Sequence, residues 1–192
     1  MGGFYIWYAS CEHINFEKAL LSNGLKVRQV LIWNKNHFVL GRSDYQNKYE
    51  PCLYGWKDGQ KHYFIDSRKQ KTVLDYESNV YDFNRMQKRE LIDFIEDMIN
   101  NNISSDVIEE NKPQRSSQHP TMKPIKLIAK LIMNSSRKND IVLDLFGGSG
   151  TTLLACEQLE RSCRMMEYDP RYCDVIIKRW EDFTKKKAIQ IE

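Results

Sequence analysis

Asp140-Ile141-Val142-Leu143-Asp144-Leu145-Phe146-Gly147-Gly148-Ser149-Gly150-Thr151-Thr152 is the stretch whose reading decides the fold. From Ile141 to Phe146 it is almost wholly apolar, the composition of a parallel strand covered on both faces. Three of the next four positions are glycine, so the backbone can turn sharply and approach a ligand with no Cβ in the way. The helix that follows presents unpaired N–H groups and a partial positive charge to the same space. A small molecule with a carboxylate and hydroxyls suits the crevice at the carboxyl end of such a strand.

Working outward, Thr151 to Leu159 reads as a helix and Ser162 to Glu167 as a second strand. Asp169-Pro170 is an N-cap followed by a first-turn proline. The helix behind it carries Tyr172, Ile176, Trp180 and Phe183 on its apolar side. Lys185-Lys186-Lys187 falls in its last turn, and Ala188 to Ile191 reads as a last short strand. Asp144 thus ends one strand and Glu167 ends the next, about twenty residues on, which suits a ribose diol. The glycines do not spell GxGxxG, because the third glycine position is Leu153, and no GK[ST] phosphate loop is present. An acid just before the glycines, with no pyrophosphate cradle, favours a cofactor bearing an ammonium group. S-adenosylmethionine has that ammonium, a ribose and no phosphate.

Upstream, the sequence His119-Pro120-Thr121-Met122-Lys123-Pro124 leads into a helix with Ile125, Ile128, Leu131 and Ile132, which stops near Asn134-Ser135-Ser136. Pro124 reads as a first-turn proline. At the other end of the chain Phe4 to Tyr8 is a strand, Ser10 caps a helix through about Asn23, and Gly24 closes it. Val27 to Trp33 and Tyr49 to Trp56 are further strands, joined by a polar link, Asn34 to Lys48. From Asp58 to Gln118 the pattern weakens. Basic residues alternate with aromatics over 61–89, consistent with a solvated face, with DNA contact or with the packing of a small subdomain. Lys88 to about Ile99 reads as a helix, and Asn100 to Gln118 as a flexible connection.

Composition bounds the answer. The chain has 192 residues, 41% hydrophobic and 29% charged, with 29 Lys plus Arg against 26 Asp plus Glu. That fits one α/β domain with an insertion, and the net charge of +3 neither demands nor excludes nucleic acid. Five scattered cysteines form no CxxC pair, which argues against a structural zinc site and for core thiols in a reducing cytoplasm. No metal site is expected: His13, His37 and His62 lack partners at ligand spacing. No stretch reaches the ~18–20 apolar residues of a membrane span. No signal peptide is legible at the N-terminus, and Ile6 stands where a myristoylation signal wants Ser or Thr.

Asp144-Leu145-Phe146-Gly147-Gly148-Ser149-Gly150-Thr151 resembles the DxFxGxGT motif of S-adenosylmethionine-dependent DNA methyltransferases. His119 to Pro124 resembles their HPTxKP element. The order, HPTxKP just before the glycine motif, is that of the circularly permuted, beta-type group that methylates exocyclic amino groups. Glu167-Tyr168-Asp169 and Tyr172-Cys173 also look like that family. So do Gly2-Gly3-Phe4-Tyr5-Ile6-Trp7 and Leu31-Ile32-Trp33-Asn34-Lys35. The resemblance implies a Rossmann-like α/β methyltransferase fold whose core is residues 1–57 and 119–192, with 58–118 as target-recognition insertion and linker. It implies site-specific methylation of DNA, at adenine N6 by preference, with S-adenosylmethionine as donor. Phe146 and the backbone of Gly147, Gly148 and Gly150, with Thr151, would line the cofactor. Asp144 would face its amino group and Glu167 its ribose. His119, Pro120, Thr121 and Lys123 would close over the methionine end. Lys35 and Arg42 would touch DNA phosphates.

The sequence departs from the family in one respect: no [DNS]PP[YFW] tetrapeptide, the element that holds the flipped base, occurs anywhere in it. No catalytic residue is therefore assigned, and the chain reads as an N-terminally truncated fragment or half of a split enzyme. The alternative is a non-catalytic remnant that binds cofactor or DNA. In the family's sheet the missing strand lies between the glycine-motif strand and the one resembling Phe4 to Tyr8. The sheet is then incomplete, and either those strands pair directly or another chain fills the gap, a homo-oligomer or a missing N-terminal fragment. An RNA methyltransferase is disfavoured by HPTxKP, and an NAD enzyme by the broken GxGxxG. Pro51-Cys52, which resembles the nucleophile of cytosine-C5 methyltransferases, reads instead as a buried strand position.

Overall fold

The computed structural model describes residues 2–75, 92 and 122–191. They fall into two compact units, with residues 2–75 in one and 122–191 in the other.

The first unit is a four-stranded sheet with one helix. Its strands are β1 (Phe4–Trp7), β2 (Leu25–Val39), β3 (Asn47–Lys57) and β4 (Val73–Asp75), in the order β1-β3-β2-β4. β3 pairs antiparallel with both neighbours, Trp7 opposite Cys52 and Leu31 opposite Cys52 from the other side, while β4 lies parallel to β2. Being central, β3 buries five consecutive residues, Pro51 to Gly55, where an edge strand would alternate. Cys52 is wholly buried and its thiol donates to the Leu53 carbonyl, which is the core position expected of it. A 3₁₀ turn (Ser10–Glu12) precedes helix α1 (His13–Ser22), and Ser10 makes no capping bond. Gly24 is left-handed, as its closing role requires.

One expectation changes here, and one set of alternatives narrows. β2 and β3 run well into the polar link, because a hairpin continues on backbone pairing alone once both its faces are wet. Val39 still opposes Asn47, past a register shift. The segment after β3 is not open to solvent throughout. His62 stacks on Trp56 with ring centroids 3.7 Å apart, and Phe64 lies 5.9 Å from Tyr54. Of the basic and aromatic stretch, residues 76–89 lie outside the described residues, as does all but Ile92 of the helix expected over 88–99.

The second unit contains helix α2 (Ile125–Ser135), β5 (Ile141–Asp144), α3 (Thr151–Leu159), β6 (Ser162–Met165) and α4 (Pro170–Thr184). β5 and β6 pair in parallel, Ile141 opposite Ser162 and Asp144 opposite Met165. α2 packs on α3 and α3 on β6, and the core is Leu127, Ala129, Leu131, Ile132, Leu154, Ala155, Leu159 and Ile176. Pro124 is the N-cap of α2 and so stands one position earlier than expected. Asp169 caps α4 through the Arg171 N–H with Pro170 behind it, as its sequence requires. Trp180 Nε1 donates to Glu157, tying α4 to α3.

Other readings need correction. β5 is not covered on both faces: Ile141 and Leu143 are 68% and 63% exposed. Among the described residues β1 is an edge strand of the first unit's sheet, and β5 pairs with β6 in the second. α4 ends at Thr184, with Lys185 left-handed at its C-cap. The lysines therefore lie beyond the helix, where Lys187 pairs with Glu181 at 2.9 Å and Lys186 with Glu157 at 3.4 Å. Ala188 to Ile191 forms no strand, and Ile189 and Ile191 are exposed. The alternation was right for a strand, but no partner edge is paired with it.

Candidate cofactor site

β5 and β6 end side by side, and the chain leaving each is bonded to the other. The Asp144 carbonyl accepts from Met166 N–H at 2.9 Å, and Gly147 N–H donates to the Met166 carbonyl at 2.8 Å. The glycine turn therefore extends the strand ladder by one more pair before it breaks into α3. Gly147 is glycine because of what lies beneath it: an added Cβ would stand 2.8 Å from Met165 Sδ and 3.0 Å from Ile176 Cδ1. Gly150 sits at φ +79°, and its Cβ would meet Ile176 at 3.1 Å. Both are thus demanded by the packing of the turn on β6 and α4 as well as by any ligand above it.

The acids organise the loop. Asp144 Oδ1 accepts from Phe146 N–H at 3.0 Å. Glu167 grips two segments at once, accepting from Gly148 N–H at 2.7 Å on one oxygen and from Asp169 N–H at 3.0 Å on the other. These bonds, that from Asp169 foremost, hold the Glu167 carboxyl below the usual glutamate range, so it is an anion at neutral pH. Each carboxylate oxygen has a second lone pair, which leaves capacity for a diol. Around the acids the apolar side chains are turned outward: Phe146 is 88% exposed, Tyr168 fully so, and Leu145 and Met166 are exposed as well. Large apolar groups flanking carboxylates at strand ends make a surface that an aromatic, hydroxylated and cationic ligand would cover. The residues present fit S-adenosylmethionine on each of these counts.

Of the expected site residues, Asp144, Phe146, Gly147, Gly148, Gly150 and Glu167 are brought together. Thr151 is 7% exposed and its hydroxyl is turned to the chain, donating to the Lys123 carbonyl at 3.3 Å. Lys123 is thereby tied to the start of α3. His119, Pro120 and Thr121 lie outside the described residues. In the first unit Lys35 is held by Glu50 at 3.3 Å beside the Trp33 ring, while Arg42 stands exposed on the β2–β3 hairpin. No metal-binding cluster occurs among the described residues.

Three supporting residues were not singled out from sequence for this role. Ile176 underlies both Gly147 and Gly150, Met165 underlies Gly147, and Arg179 donates to the Ser149 carbonyl. The spacing of Ile176 and Arg179, one turn apart on α4, was a legible signal. It shows a helix face turned to the glycine loop, but only once α4 is known to pack there.

Comparison with known proteins bears on this arrangement. The family model N6_N4_Mtase, described as DNA methylase, matches residues 2–179. The type II methyltransferase M2.MboI of Moraxella bovis is 36% identical over 67 residues, 35% of this chain and 24% of that protein. M.HinfI of Haemophilus influenzae is 44% identical over 61 residues, 32% of this chain and 17% of that protein. The matched segments thus span about a quarter or less of these relatives' length. The crystal structure of the M1.HpyAVI–SAM complex superposes with TM-score 0.65 at 25% identity, covering 93% of this chain and 74% of that one. The PvuII cytosine-N4-specific DNA methyltransferase, at 17% identity and TM-score 0.61 over 93% of this chain, shares the fold. A family match running over nearly the whole chain, on an α/β unit that ends in this acid–glycine crevice, places the chain in the N6/N4 DNA methylase family.

Proposed function

We propose that the chain binds S-adenosylmethionine in the crevice of Asp144, Gly147 to Gly150 and Glu167, and serves methyl transfer to an exocyclic amino group of a DNA base. The observation that carries the reading is the double grip of Glu167 on Gly148 and Asp169, beside the outward-facing Phe146 and Tyr168. Bound S-adenosylmethionine supplies a sulfonium methyl group, which an amine nitrogen can accept. The chain's own part is to hold and orient. Glu167 offers an anionic oxygen pair to hydroxyls, Asp144 offers a carboxylate to a cation, and Phe146 excludes water from one side. His119, Pro120, Thr121 and Lys123 remain the proposed closure over the methionine end, and Thr151 contributes by anchoring Lys123 to α3.

DNA is the proposed substrate and adenine N6 the proposed acceptor. Arg42, exposed on the hairpin, is the proposed phosphate contact, and Lys35 a positioning partner of Glu50 on the same hairpin. Residues 58–118 are proposed for target recognition. No [DNS]PP[YFW] run occurs in the 192 residues, so in this reading the base-holding group comes from a segment outside them, from a separate polypeptide or a further part of the same protein. The uncovered Ile141 and Leu143 and the edge position of β5 favour a strand docking there. The same absence favours a second reading, a remnant that binds cofactor or DNA without catalysis.

Tritiated S-adenosylmethionine and unmethylated DNA separate the two. The first reading expects label in DNA when the chain is mixed with a polypeptide bearing the tetrapeptide strand, recovered as N6-methyladenine. N4-methylcytosine would replace the acceptor. No label with any such complement, while cofactor binding persists, would leave the second reading standing.

A further inference from the structure

We propose that the far end of the β2–β3 hairpin is a DNA-inserting arm, its tip residues Leu40 and Tyr45 entering an opened base step while Arg42 holds the adjoining phosphate. The proposal rests on the DNA-substrate reading above and adds to it a contact with the bases themselves. β1 lies beside β3 only from Gly55 back to Cys52, with one further bond from Tyr8 N–H to the Pro51 carbonyl. β4 lies beside β2 only from Ile32 to Asn34. Beyond those points, among the described residues, the two strands have only each other, and their pairing still holds where Val39 opposes Asn47. At ~3.3 Å per residue, the step from Asn34 to Val39 carries this ribbon roughly 15 Å past its last neighbouring strand. A two-stranded β-ribbon is an element that the major groove of a duplex admits.

The base of the arm is pinned and its tip is closed. Lys35 pairs with Glu50 across the strands at 3.3 Å. At the tip Gly41 N–H donates to Gln46 Oε1 at 2.6 Å, and Gln46 Nε2 donates to the Ser43 carbonyl at 2.7 Å. One side chain thus ties the loop together, and the large apolar groups beside it are left in water. Leu40 is 82% exposed and Tyr45 92%, with Phe38 at 59% on the strand leading to them. Single exposed apolar residues are ordinary. Three at the end of one projecting arm form a surface whose partner is another molecule. The charge says which partner. From residue 34 to 49 the arm carries Lys35, Arg42 and Lys48 against a single acid, Asp44, and Arg42 and Lys48 are exposed. Cations flanking an apolar tip suit a polyanion with an apolar interior: phosphates take the cations, and an unstacked base step takes the wedge.

The test is fluorescence anisotropy of the full chain with two labelled duplexes, identical except for one mismatched base pair, at several salt concentrations. A mismatch is already partly unstacked, so the wild type is expected to bind that duplex at least about threefold tighter. The double substitution Leu40→Ser, Tyr45→Ser is expected to weaken binding about tenfold and to abolish the mismatch preference. The slope of log affinity against log salt should stay as in the wild type, because Arg42 and Lys48 are untouched. Both replaced side chains lie in water, so the variant should keep the wild-type circular dichroism spectrum, and either single substitution reads part of the same loss if the pair does not fold. A folded variant with wild-type affinity and an unchanged mismatch preference overturns the arm and leaves the substrate reading standing. A wild type that binds neither duplex removes both. A variant that keeps DNA binding yet loses self-association in sedimentation assigns the tip to a second copy of the chain and likewise overturns the proposal.

Discussion

Glu167 binds two backbone N–H groups, on either side of the crevice, and no neutral side chain of its size can do the same. Glu167→Gln leaves one of them facing an amide NH₂. Calorimetry should show S-adenosylmethionine affinity weakened about tenfold or more, the equivalent of about 1.4 kcal/mol. The depressed carboxyl also sets a pH dependence. Its stabilising contribution is fully present above the ordinary glutamate range near ~4.3 and is lost as pH falls through the lower folded-state value. Urea midpoints of the wild type should therefore fall more steeply below about pH 4 than those of Glu167→Gln. Parallel curves would show that the two bonds contribute nothing to folding. At Gly147 the added methyl has Met165 and Ile176 in its way. Gly147→Ala should cost about 1–3 kcal/mol in urea unfolding, and an unchanged midpoint would show that the turn is free to move off β6.

At the scale of elements, sequence periodicity was a good guide where the pattern and the environment agree. α3, β6, the Asp169-Pro170 start of α4 and β1 lie close to where their residues point. It failed where the deciding contact is distant in the chain. Nothing local says that β2 and β3 stay paired through Asn34 to Lys48, since exposed hairpin strands need no apolar face. Nothing local says that Ala188 to Ile191 lacks an edge to pair with. The glycine loop was legible as a ligand-approach motif, but half of the reason for its glycines, the Ile176 and Met165 side chains beneath, was not. The β2–β3 hairpin carries its own prediction. Arg42→Ala should weaken DNA binding uniformly across sequences and reduce the slope of log affinity against log salt by about 1. Fluorescence anisotropy at several salt concentrations measures both. An unchanged slope would remove Arg42 from the phosphate contacts.

At the scale of the whole molecule, the described residues form one sheet in each unit, and β5 in the second leaves Ile141 and Leu143 exposed. The family motif order made an incomplete sheet legible in the sequence, while the exposure of Ile141 and Leu143 was visible only in the structure. Among the described residues no helix is long and apolar enough to cross a membrane. The central claim is that the acid–glycine crevice is complete enough to hold S-adenosylmethionine without the base-holding strand. Isothermal titration of the full chain with S-adenosylmethionine tests it most directly. The account predicts saturable one-to-one binding that Glu167→Gln weakens; no saturation up to millimolar ligand, with the chain shown to be folded, would contradict it.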